Sequence, residues 1–150
     1  MNGSNSGQSN NAKGSQVNIE QSELESTVNN NNSSISSTMP NCTNASTPKE
    51  KFVNYSLDYS NPNAKGKAEA YEKGLGYTKD NATGLIKQIH DYVTSGNKPY
   101  VVSQSEYGTK YKFRIPVHGP NGKTKNVIAV YQIDKGSSIP RLITNYMEGK

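Results

Sequence analysis

All twelve aromatic residues of this 150-residue chain, ten Tyr and two Phe, lie from Phe52 onward. The residues before them are mostly Asn, Ser, Gly, Gln and Thr, with a run Asn29-Asn30-Asn31-Asn32 followed by Ser33-Ser34. Such a stretch buries too little apolar area to offset the entropy of ordering it. The sequence therefore predicts a disordered Asn/Ser-rich leader or linker over residues 1–50 and one basic domain over 51–150. About 100 residues suffice for a single modest core.

Charge divides at the same place. Lys13 and Lys49 stand against Glu20, Glu23, Glu25 and Glu50, a net of −2, so residues 51–150 carry +7. That balance favours an anionic partner, RNA or another nucleic acid first; a merely soluble basic protein would carry it too. The lone Cys42 allows no intramolecular disulfide and no multi-cysteine metal site. No run of roughly 18 apolar residues is present, so no helical membrane span is expected. Met1-Asn2-Gly3-Ser4 lacks the basic-then-apolar order of a signal peptide.

Periodicity then organises the domain. Residues 52–63 read as extended chain and a turn before Pro62. A short helix fits Ala64 to Lys73, with Gly74 as its stop. A second fits Asp80 to Thr94, where Leu85, Ile86, Ile89 and Val93 share a face. Beyond Ser95-Gly96-Asn97 the pattern is β. Tyr100–Val102 is a short strand, and Tyr111, Phe113, Ile115 and Val117 alternate with Lys110, Lys112 and Arg114. Gly119-Pro120-Asn121-Gly122 is a hairpin turn leading into Lys125–Ile133, and Ile139–Met147 closes the sheet. The expected fold is α+β: two N-terminal helices packed on one face of a three- to four-stranded antiparallel sheet.

On the other face Lys110, Lys112 and Arg114 form a cationic row suited to RNA phosphates, although alternating charge also keeps any half-exposed strand soluble. In the closing strand, Thr144 and Tyr146 stand two apart and so share a face, with Arg141 nearby. In a regular strand Arg141 faces the opposite way, so a bulge or the turn at Pro140 is needed to bring it round. His118, beside the hairpin turn, and His90, bordering the packed helix face, are general-base candidates. No carboxylate pair, His cluster or Gly-rich phosphate loop points to metal or nucleotide chemistry, and no metal or cofactor is expected.

The segments Tyr59-Ser60-Asn61-Pro62-Asn63-Ala64-Lys65-Gly66-Lys67-Ala68, Gly74-Leu75-Gly76-Tyr77, Tyr107-Gly108, Gly119-Pro120-Asn121-Gly122 and Pro140-Arg141-Leu142-Ile143-Thr144-Asn145-Tyr146 resemble a small bacterial domain of unknown function. That domain is found at the C-termini of polymorphic and contact-dependent toxins and of phage-head proteins. The resemblance spans roughly residues 57–147. The closing motif is also similar to the last strand of the barnase, EndoU, colicin and RelE group of ribonucleases. The chain departs from the pattern at Asn61, where the family has His before Pro, and at Tyr131, where it often has Trp.

The resemblance implies a metal-independent ribonuclease acting on RNA, with tRNA among the candidates. A metal-free ribonuclease needs a proton acceptor for the 2′-OH, a cation facing the phosphorane and a proton donor for the leaving oxygen. Carried onto this chain, Arg141 binds phosphate, Lys67 supplies a second cation, Thr144 and Tyr146 orient the phosphate, and Tyr146 serves as acid or stacks on a base; His118 joins them as a candidate base. The polar leader resembles the join between a toxin tip and its delivery region. The toxin would be secreted or delivered as part of a larger protein, act in the target-cell cytoplasm, and be neutralised at home by an immunity protein, expected to be acidic. Two other readings remain open: a non-catalytic nucleic-acid-binding module, and a protein-interaction domain with a Tyr-rich surface.

Overall fold

The alternation in the second half of the chain becomes a meander of four antiparallel strands. These are β1 (Val101–Ser105), β2 (Gly108–His118), β3 (Thr124–Asp134) and β4 (Arg141–Met147), paired in chain order. The computed structural model describes residues 37–149. Among the described residues two α-helices, α1 (Lys65–Leu75) and α2 (Ala82–Thr94), pack on one face, α1 against β3 and β4 and α2 against β2. Phe113, Ile115 and Val117 from β2 and Val127, Ala129 and Tyr131 from β3 point into this core, with Phe113 and Tyr131 edge to face at 5.9 Å. Leu85, Ile89 and Val93 of α2 and Tyr71 and Leu75 of α1 complete it.

Three local details differ from the sequence expectation. The first is the extended reading of residues 52–63. Phe52–Ser56 instead forms a π-helical turn, with the Leu57 amide donating to the Phe52 carbonyl at 2.8 Å. That wider turn buries Phe52 and Leu57 together, a tertiary gain that five polar-flanked residues do not advertise. Second, α1 runs past Gly74 to Leu75, and Gly76 takes the left-handed position at φ 86°. Burial of Leu75 extends the helix, while Gly74 lets Met147 of β4 lie against it. Third, α2 begins after a 3-10 turn at Lys79–Asn81. Thr78 caps this turn by accepting from the Asp80 amide, and the Asn81 side chain returns to the Thr78 amide.

The hairpin between β2 and β3 is fastened to the end of α1. The Asn121 amide donates to the Leu75 carbonyl at 3.2 Å, and the Asn121 side chain reaches Gly74. A β-carbon at Gly119 would stand 2.1 Å from the Leu75 carbonyl oxygen.

The folded unit also begins earlier than residue 51. Met39 is 1% exposed, Ala45 is buried, and Ser46 forms a parallel bridge with Arg141. The Ser46 amide donates to the Pro140 carbonyl, and the Leu142 amide to the Ser46 carbonyl. Residues 38–50, expected in the leader, therefore strap the start of β4. Composition concealed this because the pairing of Ser46 with β4 is made by backbone, which every residue carries. The leader expectation for residues 1–36 lies outside the described residues. Among the described residues, no helix is long and apolar enough to cross a membrane.

Candidate functional site

The sheet face opposite the helices collects most of the residues singled out by the sequence. Directly opposed residues of an antiparallel pair share a face, so the register places three rows across it. One row is Lys110–Gln132–Arg141, the next Lys112–Val130–Thr144, and the third Arg114–Ile128–Tyr146. Although neither α-helix lies on this face, Ile128 is 2% exposed and Val130 7%. These central apolar residues stand in register between polar side chains of the flanking strands, so the face is polar and largely cationic over an apolar floor.

Arg141 reaches this face through the expected irregularity. Between Val130 and Tyr131 the partner register slips from Thr144 to Leu142, leaving Ile143 as the extra residue of a bulge. Leu142 and Asn145, three apart, therefore both face the core, and Arg141, Thr144 and Tyr146 all face outward.

Three of the chosen residues meet. The Lys67 ammonium reaches from α1 around the β4 edge and donates to Thr144 Oγ1 at 3.0 Å. It also lies 5.7 Å from the centre of the Tyr146 ring, within cation–π range. Lys67 is partly buried, and burial lowers its pKa. None of the described ion pairs includes it. Because Thr144 accepts from Lys67, its own hydroxyl hydrogen is free to point outward.

Arg141 is on the same face but elsewhere. Asp134 holds it side-on, accepting from Nε at 2.6 Å and from Nη2 at 3.0 Å. Gln132 Nε2 donates to the same carboxylate at 2.6 Å. These bonds, those from Arg141 first, hold the Asp134 pKa down at about 2, and the pair in turn raises that of Arg141. Asp134 was not singled out from sequence, because the bulge hides that Arg141 comes opposite Gln132, two residues from Asp134.

Arg114 stacks on the Tyr100 ring at 4.3 Å and pairs with Glu148 at 2.7 Å. Asn126 donates to the other Glu148 oxygen at 3.1 Å. The Arg114 hydrogen bond, ahead of the Asn126 one, lowers the Glu148 pKa. Lys110 and Lys112 are in none of the described ion pairs.

His118 stands at the far end of β2, where Nδ1 is 2.7 Å from Thr124 Oγ1. Six residues separate it from Lys112, the β2 residue in the Thr144 row, or about 20 Å at ~3.3 Å per residue. The structure thus does not bring His118 to Lys67 and Thr144. His90 lies on the helix side, 2.9 Å from Thr47 Oγ1, which also bonds the Tyr131 phenol at 2.6 Å. Asn61 shapes the turn before α1: its Oδ1 accepts from the Asn63 amide at 3.0 Å. Asn145, also not singled out from sequence, is buried on the core side of β4; its Oδ1 accepts from the Tyr71 phenol at 2.8 Å, while Nδ2 has no partner among the described residues. Among the described residues, no three His, Cys, Asp or Glu side chains gather in a metal-binding group.

No curated protein matches the chain. Among solved structures, the fold is similar to a contact-dependent growth inhibition toxin–immunity protein complex from Klebsiella pneumoniae 342. The TM-score is 0.50 at 18% identity, over 62% of this chain and 80% of that one. At this identity the likeness is one of fold. The sequence of residues 38–149 matches the family described as Domain of unknown function (DUF6883), and the chain belongs to that family.

Proposed function

We propose that this domain is a toxin-type, metal-independent ribonuclease, with Lys67, Thr144 and Tyr146 as its reacting cluster. One observation carries the reading: a partly buried lysine with no carboxylate partner among the described residues, held between a hydroxyl and a phenol ring on a cationic face. Burial without a counter-ion disfavours the ammonium and eases its conversion to the neutral amine, the form that can accept a proton. In this mechanism the neutral Lys67 amine accepts the 2′-OH proton as the oxygen attacks phosphorus. The ammonium so formed then faces the charge growing on the phosphorane. The free Thr144 hydroxyl hydrogen bonds a phosphate oxygen. Tyr146 donates a proton to the leaving 5′-oxygen.

The solved structure of similar fold is a toxin with its immunity protein, which supports a toxin role here. On this reading the domain is delivered as part of a larger toxin, acts on RNA in the target-cell cytoplasm, and is blocked in the producer by an acidic immunity protein covering the open face. Expression in a bacterial cytoplasm should arrest growth with RNA breakage, and Lys67→Ala should abolish both. Equal toxicity of the two proteins would refute the assignment. A non-catalytic nucleic-acid-binding module is the second reading, favoured by the cations Lys110 and Lys112 lying away from the cluster. It predicts salt-dependent binding and intact RNA.

A further inference from the structure

We infer that Arg141 is not part of the reacting cluster but, with Lys110, holds a second phosphate of the same RNA strand. This inference rests on the nucleic-acid reading of the open face and specifies how the strand lies on it.

A guanidinium has two edges for paired hydrogen bonds, Nε with Nη2 and Nη1 with Nη2. Asp134 occupies the first, so Arg141 presents the second. The clamp also sets where that edge lies. On β3, Val130 opposes Thr144 and Gln132 opposes Arg141, and Asp134 is two residues further from Thr144. Held by Asp134, the guanidinium leans away from Thr144. Lys67 leans the other way, between Thr144 and Tyr146. The Arg141 and Thr144 rows are two residues apart on β3, about 7 Å at ~3.3 Å per residue, and the opposite leans of the two side chains widen the separation of their charged ends. One phosphate making bonds of about 2.8 Å to each cation does not span that gap; two phosphates along one strand do.

Charge points the same way. The Asp134 carboxylate beside Arg141 would oppose a phosphorane, where negative charge accumulates, more than an ordinary phosphodiester with its single charge. Lys110 lies in the same row, directly across Gln132 from Arg141, and adds a second cation there. The face then reads as a track with a reacting phosphate at Lys67, Thr144 and Tyr146 and a holding phosphate at Arg141 and Lys110.

The test uses a 2′-O-methylated single-stranded RNA oligonucleotide, which lacks the attacking hydroxyl and so is bound without being cleaved. Its affinity for the full chain is measured across a salt series for wild type, Lys67→Ala, Arg141→Ala and the double variant, each checked for folding by circular dichroism. Each contacted phosphate of a single strand contributes about −0.7 to the slope of log affinity against log salt. Each single variant should shallow the slope by about 0.7 and the double by about 1.4. A double variant no shallower than either single one would place both cations on one phosphate and overturn this inference alone. A wild type with no salt-dependent binding would overturn it together with the reading beneath it.

Discussion

Thr47 offers a sharp test of whether the strap at residues 38–50 belongs to the fold. Its hydroxyl is the hydrogen-bond partner of the Tyr131 phenol at 2.6 Å, and Tyr131 is fully buried. Thr47→Val keeps the β-branched shape and removes the hydroxyl, leaving the phenol buried without a partner. Such an orphaned group costs about 1–3 kcal/mol. For a domain of this size each kcal/mol lowers Tm by roughly 4 °C, so the expected loss is about 4–12 °C. Tyr131→Phe removes the other partner, and taking both away together is close to neutral. The double variant should therefore be no less stable than Thr47→Val alone, with a coupling of about 1 kcal/mol or more. Urea unfolding of the full chain followed by far-ultraviolet circular dichroism measures all four corners of the cycle. If Thr47→Val changes stability by less than about 0.5 kcal/mol and the two substitutions simply add, the strap does not close the core as described.

Other outcomes follow from the same geometry. Burial holds the Tyr131 and Tyr111 phenols up at about 12, and that of Tyr71 higher still. An unfolded tyrosine releases its proton near pH 10, so the unfolded state binds fewer protons above that pH and stability should fall from about pH 10 to 12. Tyr131→Phe should flatten that fall; an unchanged slope would contradict the burial argument. Gly119→Ala should cost about 1–3 kcal/mol, because its β-carbon would meet the Leu75 carbonyl oxygen at 2.1 Å, and both groups are anchored backbone. Gly66→Ala, with nothing within 4 Å in the first turn of α1, should instead stabilise by roughly 0.4–1 kcal/mol; thermal melts of the two variants should move in opposite directions. If Lys67 is the proton acceptor, the cleavage rate should climb with pH as the amine deprotonates, and Lys67→Ala should abolish the climb along with most of the rate.

The four strands and both α-helices were legible because alternation and helical spacing report directly on burial. Phe113, Ile115 and Val117 mark one sheet face as plainly as Leu85, Ile89 and Val93 mark one helix face. The family resemblance grouped Lys67, Arg141, Thr144, Tyr146 and His118 in one site; of these, Lys67 meets Thr144 and Tyr146, and nothing local in the sequence links a helix lysine to a strand 77 residues later. Parity alone required a bulge or the turn at Pro140 to bring Arg141 round, and the structure has the bulge, a register slip at Ile143. What stayed hidden depended on backbone pairing or on long-range register. The strap is polar in composition but is joined to β4 by the Ser46 bridge. Asp134 and Glu148 lie just beyond the strand runs that end at Ile133 and Met147, yet each fixes an arginine of the open face. His118 looked attractive as an imidazole beside a turn, but the length of β2 carries it away from the cluster.

The most direct test of the central claim is cleavage of total bacterial RNA by the full chain in the presence of EDTA, with Lys67→Ala and His118→Ala beside it. Wild type and His118→Ala should give the same discrete fragments, and Lys67→Ala should be slower by about 100-fold or more, the range for losing a positioned acid–base group. Intact RNA with folded wild-type protein, or a Lys67→Ala protein as active as wild type, would contradict the account.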